Sequence, residues 1–123
     1  MAAVRSVDTT PEMIVRRILY RIGCRYRLHL RSLPGSPDIV FPGRRKVVFV
    51  HGCFWHRHSC KNGRSLPKTH KDYWLPKFAR NRKRDRANRA ELKKLGWDVL
   101  IVWECWTRKP DSLATKLARF VGR

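Results

Sequence analysis

Three histidines and two cysteines fall within VFVHGCFWHRHSC, residues 48–60, which begins as an apolar run. In the spacing Cys53-x4-His58-x-Cys60, two thiolates and an imidazole lie close enough along the chain to wrap one ion, and a tetrahedral zinc site then needs one more donor. Cys105, at the end of "VLIVWEC", can supply it if its strand neighbours the one that delivers Cys53. A closed Cys3His site is structural and folds a loop that has no core of its own. The rival reading, free thiols in a basic loop, is weaker because exposed unligated thiols are reactive. Spacing alone leaves open whether His56 or His58 is the imidazole ligand.

A second set of residues suits phosphate chemistry. Asp38 opens an apolar run after the turn "LPGSP", and a carboxylate at a strand end in a positive field can hold Mg²⁺ against a phosphate. Alone, an Asp after a turn is more often a solvated turn residue. Together with His51, His56 and Glu12, the metal-holding reading of Asp38 becomes the stronger one. Glu12 has a competing role, because Thr9 three residues earlier forms a capping-box pattern with it. Phe54 and Trp55 cannot easily both reach the core from a pinned loop, and aromatics among Arg and Lys suit insertion between bases or stacking on them. Trp74 follows in what reads as another basic loop. Trp97 and Trp103, in or beside a strand, read as core, as does Cys24 at the end of "ILYRIGC".

Charge narrows the partner. The chain has 123 residues, with 29 Lys and Arg against 9 Asp and Glu, for a formal charge of +20. Such a balance repels itself unless it meets a polyanion, and nucleic acid is the first candidate. A membrane surface would call for a broad apolar helix face or a lipidation signal, and neither is evident. "MAAVRSVDTT" lacks the apolar centre of a signal peptide, and no stretch approaches membrane-spanning length, so the expected location is the cytoplasm, at the bacterial nucleoid. In that reducing setting, four Cys with five His point to metal ligation or burial rather than disulfides.

The length and 42% apolar content fit one domain, residues 1–123. "DTTPEMIVRRILYRIG" predicts a helix with Pro11 in its first turn, Ile14, Val15, Leu19, Ile18 and Ile22 on one face, and Gly23 as its end. "CRYRLHL" alternates as a half-exposed strand does. "DIVF" and "KVVFVH", joined by "PGRR", predict a hairpin that Asp38 opens and His51 closes. "KNGRSLPKTHKDYW" predicts a loop. Residues 75–95 predict a basic helix with a narrow stripe through Phe78, Leu92 and Leu95, ended by Gly96. "WDVLIVWEC" predicts a third strong strand, and "KPDSLATKLARFVG" a helix burying Leu113, Leu117, Phe120 and Val121. Helix, strands, helix, strand, helix make an α/β fold with a central mixed sheet between helices.

These blocks, "DTTPE", "LPGSPDIVF", "VFVHGCFWHRHSC", "YWLPKFARNRKRD" and "LGWDVLIVWEC", resemble in order and spacing those of the very-short-patch-repair (Vsr) endonucleases, from about Asp8 to Trp106. The resemblance implies a restriction-endonuclease-like α/β fold, related to the PD-(D/E)xK enzymes, with a structural zinc site. It implies Mg²⁺-dependent nicking of one strand of double-stranded DNA, 5′ of the thymine in a T:G mismatch left by 5-methylcytosine deamination, beside a DNA cytosine methyltransferase. Asp38 then matches the metal-binding carboxylate, His56 the histidine that handles the attacking water, and Glu12 and His51 the groups supporting metal-bound waters. The Val50 carbonyl matches the position completing the metal shell. Cys53, His58, Cys60 and Cys105 match the zinc ligands. Phe54, Trp55 and Trp74 match the inserted aromatics.

Basic residues from Arg80 to Arg89, Arg80 and Arg84 among them, would neutralise phosphates and make affinity strongly salt-dependent. A monomer is expected, because a mismatch has no two-fold axis. Two rival readings remain: a non-catalytic, zinc-stabilised DNA-binding module, and a nuclease of the same fold with another DNA target, homing-type or structure-specific.

Overall fold

The computed structural model describes residues 9–53, 56, 58, 60 and 70–122. Phe54 and Trp55 lie outside these. The first helix, α1 (Thr10–Ile22), starts where the sequence marks it: the Thr9 side chain accepts the Glu12 N–H and Pro11 sits in the first turn. Gly23 ends it at φ 90°, a left-handed turn that glycine adopts without steric cost, and its N–H closes on the carbonyls of Leu19 and Tyr20. The fully buried stripe is Glu12, Val15 and Leu19, with Ile18 and Ile22 packed at its margin. Helical spacing therefore carries one carboxylate inward along with the apolar residues.

Four strands form one sheet in the order β1 (Arg27–Leu28), β2 (Ile39–Phe41), β3 (Lys46–His51), β4 (Asp98–Trp103). The first two pairings are antiparallel and β3–β4 is parallel, so the sheet is mixed. A parallel pair needs a crossover, and the helix α2 (Lys71–Lys94) lies on that path. Side chains alternate between the two faces. Ile39, Phe41, Val48 and Val102 pack with Val15 and Leu19 of α1, with Cys24, and with Leu113, Leu117 and Val121 of α3 (Pro110–Val121). Val40, Val47 and Phe49 pack on the other face with Leu92 of α2. Covering both faces explains why "DIVF" and "KVVFVH" are almost continuously apolar.

The hairpin between β2 and β3 turns through Pro42–Arg44, and its cations reach helix ends. Arg44 and Lys46 donate to the carbonyls of Val121 and Phe120, and Arg45 to that of Leu95. Positive charge at a helix C-terminus opposes the negative end of the dipole.

Four sequence expectations need correction. The helix α2 begins at Lys71, so Trp74 stands in its first turn and not in a loop. Pro76 lies inside that helix near its start, where a missing N–H forfeits one bond and leaves the rest of the ladder intact. Leu95 is 49% exposed just past the helix end, which reduces the buried stripe to Phe78 and Leu92. The first strand is two residues long, because His29 takes φ 49° and turns the chain out of the extended conformation. Cys105 lies beyond β4, in the short 3-10 turn Glu104–Arg108. Among the described residues no helix is long and apolar enough to cross a membrane.

Leu19 is fully buried between α1 and the sheet. Leu19→Ala is expected to lower the unfolding free energy by about 2–5 kcal/mol. Leu95→Ala should cost less than about 0.5 kcal/mol. Urea unfolding of both variants checks the two values.

Candidate active site and metal centre

The parallel register of β3 and β4 sets His51 opposite Trp103. The chain beyond each strand therefore emerges at the same end of the sheet, with Cys53 two residues past one strand and Cys105 two past the other. The Cys105 N–H donates to the Cys53 sulfur at 3.4 Å. His58 Nδ1 lies 3.8 Å from Cys53 Sγ and 3.6 Å from Cys105 Sγ, and Cys60 completes a group of four donors. Zn–S bonds of about 2.3 Å and Zn–N bonds of about 2.0–2.1 Å place a tetrahedral S and N about 3.6 Å apart, so these donors fit one small tetrahedral ion. Burial pushes the Cys53 thiol up to about 12, with Cys60 and Cys105 adding to the effect against the Cys105 N–H. Without a cation the buried Cys53 sulfur keeps its proton, and uptake of an ion would release it. His58, not His56, belongs to this group.

His56 faces elsewhere. Its Nδ1 is 2.5 Å from Asp85 Oδ2 on α2, and its ring stacks on His51 with centroids 3.8 Å apart and 9° between planes. Burial alone would raise the Asp85 pKa. The hydrogen bond and charge of His56, joined by His51 and Arg84, outweigh it and hold the carboxyl below its ordinary value. With Nδ1 committed to the carboxylate, Nε2 of His56 is the nitrogen left for chemistry. His51 is pushed down to about 3, first by burial and then by the charge of His56. Its Nδ1 is buried without a hydrogen-bond partner among the described residues, which suits a neutral ring serving as a wall or an acceptor.

The carboxylates gather on the other side of β3. Asp38, just ahead of β2, accepts the Val50 N–H through Oδ2 at 2.7 Å. Donor atoms of Glu12, His29 and Asp38 all lie within 4.8 Å of one another. Glu12 is 1% exposed, and its Oε2 takes His29 Nε2 at 2.9 Å and Arg16 at 3.3 Å. The capping box is thus half made: the Glu12 N–H serves Thr9, while its side chain turns into the site. Asp38 rises from 3.8 to about 6, chiefly through burial, opposed by the Val50 N–H and reinforced by Glu12. Two carboxylates crowded in this way favour a shared proton or a cation, and oxygen donors suit a hard divalent ion.

The four residues expected to do chemistry therefore divide into two groups, Glu12 with Asp38 and His51 with His56, which meet through the Asp38–Val50 bond next to His51. Val50 enters the site by its N–H. Trp103 belongs to neither core: it stacks on His58 at 4.2 Å and edges His51 at 5.3 Å, a shared wall between the thiol group and the histidine pair. Trp97 packs at the margin of the α2-side core as expected. Trp74 is half-buried, stacked on Phe78 with Tyr73 at its edge. Arg80 and Arg84 are exposed on α2.

Sequence reading missed Asp85 and His29. Asp85 carried a signal, as the one acid from Lys77 to Arg89 in an otherwise basic helix. His29 carried none, because its backbone leaves the strand alternation at that residue.

A raised Asp38 pKa means that the folded protein binds this proton more tightly than the unfolded chain, so ionisation costs stability increasingly from pH 3.8 to about 6 and fully above that. In magnesium-free buffer at pH 8, Asp38→Asn should raise stability by about 1–2 kcal/mol, the solvent-screened cost of ionising a carboxyl lifted from 3.8 to about 6. The gain should vanish near pH 4, as thermal melts across pH will show.

A family model described as DNA mismatch endonuclease Vsr matches residues 1–62. The type II nicking enzyme V.XorIIP of Xanthomonas oryzae pv. oryzae is 56% identical over 95% of this chain and 85% of its own. The nicking enzyme V.NmeAIP of Neisseria meningitidis is 42% identical over 98% and 86%. The DNA mismatch endonuclease Vsr of Escherichia coli is 42% identical over 92% of this chain and 72% of its own. The chain, with its mixed four-stranded sheet and its converging acids, histidines and thiols, belongs to the Vsr family of DNA endonucleases.

Proposed function

We propose that this protein hydrolyses one phosphodiester bond 5′ of the thymine in a T:G mismatch, on a restriction-endonuclease-like fold, with Mg²⁺ at the catalytic centre and Zn²⁺ in the thiol site. The observation that carries the hydrolytic reading is the pairing of His56 with Asp85 at 2.5 Å, next to the carboxylates of Glu12 and Asp38, the latter raised to about 6 chiefly by burial. Asp38 and the Val50 carbonyl would hold Mg²⁺, which when bound supplies positive charge against the scissile phosphate. His56, held by Asp85, takes a proton from the attacking water through Nε2. The water oxygen bonds to phosphorus as the P–O bond to the leaving sugar oxygen breaks. Glu12 and neutral His51 orient water around the centre.

Zinc at Cys53, His58, Cys60 and Cys105 would fix the loop that carries His56 and, beside it, Phe54 and Trp55. Those aromatics, with Trp74 from α2, would insert into the duplex, at a cost of a few kcal/mol that a mispaired step reduces. Arg80 and Arg84 would neutralise phosphates. The surrounding biology follows from the lesion: a monomer in the bacterial cytoplasm, acting on DNA where a cytosine methyltransferase works.

A strand-labelled duplex with one T:G mismatch, compared with T:A, tests this directly. The expected result is a single Mg²⁺-dependent nick 5′ of the mismatched T, absent in EDTA. Asp38→Ala should abolish it, and His56→Ala should slow it by at least about 100-fold, with DNA still bound. Binding without cleavage would favour the non-catalytic module, and equal cutting of both duplexes would discard the mismatch in favour of another DNA target.

For the thiol site, elemental analysis should find about one zinc per chain, and Cys60→Ser should weaken its retention against a chelator and lower the melting temperature. Zinc-free protein with unchanged stability would overturn the structural role.

A further inference from the structure

Nothing in the proposed reaction uses His29, although it makes two contacts to the acidic centre at once. Its Nε2 is 2.9 Å from Glu12 Oε2, and its main-chain N–H donates to the Asp38 carbonyl at 3.1 Å. We propose that His29 is a positioning residue of the hydrolytic centre: its Nε2–H fixes the Glu12 carboxylate against Asp38, so that the pair presents a preformed cradle for a divalent cation and its water. The inference rests on the reading of Asp38 as the metal-binding carboxylate.

Three observations support it. Glu12 is 1% exposed, whereas the His29 side chain is 24% exposed, so the histidine closes the open side of a buried carboxylate. One Glu12 oxygen, Oε2, receives both His29 and Arg16, while a donor oxygen of the carboxylate lies within 4.8 Å of one of Asp38. A carboxylate gripped by one oxygen is oriented through the other. Finally, His29 holds φ 49°, a backbone that few residues adopt, and that turn brings the side chain back toward α1. Groups that orient the residues of a metal centre commonly change metal affinity or activity by about 10–100-fold when removed.

Two substitutions separate positioning from backbone effects. Asparagine is the non-glycine residue best suited to φ near 49°, but its amide nitrogen corresponds to Nδ1 and stops short of Glu12. Glutamine is less suited to that backbone, yet its amide nitrogen reaches about as far as Nε2. If His29 serves only the turn, His29→Asn should be the milder change. If it positions Glu12, His29→Gln should be.

The experiment measures Mn²⁺ binding to the zinc-loaded protein by loss of the free-ion resonance, together with the Mg²⁺ midpoint and maximal rate of nicking at saturating T:G duplex. The expected result is that His29→Asn weakens Mn²⁺ binding and raises the Mg²⁺ midpoint by about tenfold or more, while His29→Gln stays within about threefold of wild type. Duplex affinity and melting temperature should move little in His29→Asn. Wild-type behaviour of His29→Asn, or equal losses in the two variants, would overturn the proposal. Mn²⁺ binding that is absent in the wild type, or that survives Asp38→Ala, would sink the reading of Asp38 as the metal carboxylate, and the role of His29 with it.

Discussion

The parallel pairing of β3 with β4 is the constraint on which the rest of the molecule depends. Six residue pairs, from Lys46 opposite Asp98 to His51 opposite Trp103, fix the register of two strands that are separated by a long crossover through α2. A slip of one residue would exchange the two faces of β4 and separate the Cys53 and Cys105 segments. The register is held because both faces are buried: Val48 and Val102 belong to one core and Val47 and Phe49 to the other, so that no shifted pairing leaves the apolar residues covered. The thiol group, the histidine stack and the Trp103 wall all follow from that alignment.

The same end of the sheet is where folding and chemistry pull in opposite directions. Glu12 rides inward on the buried stripe of α1, Asp38 is lifted to about 6 and His51 is depressed to about 3, chiefly by burial. Each shift means that the folded state disfavours the charged form. The arrangement persists because neighbouring groups offset part of the cost: the Val50 N–H for Asp38, and His29 with Arg16 for Glu12. Low local dielectric then strengthens any later interaction with a cation or a phosphate, which is useful in an endonuclease.

Outside this region the chain is ruled by charge. The helix α2 has only Phe78 and Leu92 buried and bears Arg80, Arg82, Lys83, Arg84, Arg86 and Arg89 outward. Its one inward-turned acid, Asp85, points at His56. The basic face and Asp85, the partner of His56, therefore share one helix.

Element identities were legible along the chain because they are local: the Thr9 cap, the Gly23 stop, the β-branched runs of β2 and β3, and the spacing of Leu113, Leu117 and Val121 are each set by neighbours within a few positions. The thiol group was nearly as legible, since three of its four members lie within eight positions of the sequence and the fourth closely follows a strand that had to pair nearby. Choosing between His56 and His58, and between the two uses of Glu12, was beyond local pattern. Those outcomes depend on side chains from distant parts of the chain, Asp85 for one and His29 for the other, and such contacts leave no periodicity to read. The left-handed backbone at His29 shows the limit most plainly: a single φ ended the strand and turned its imidazole toward α1, and only three-dimensional packing could settle it.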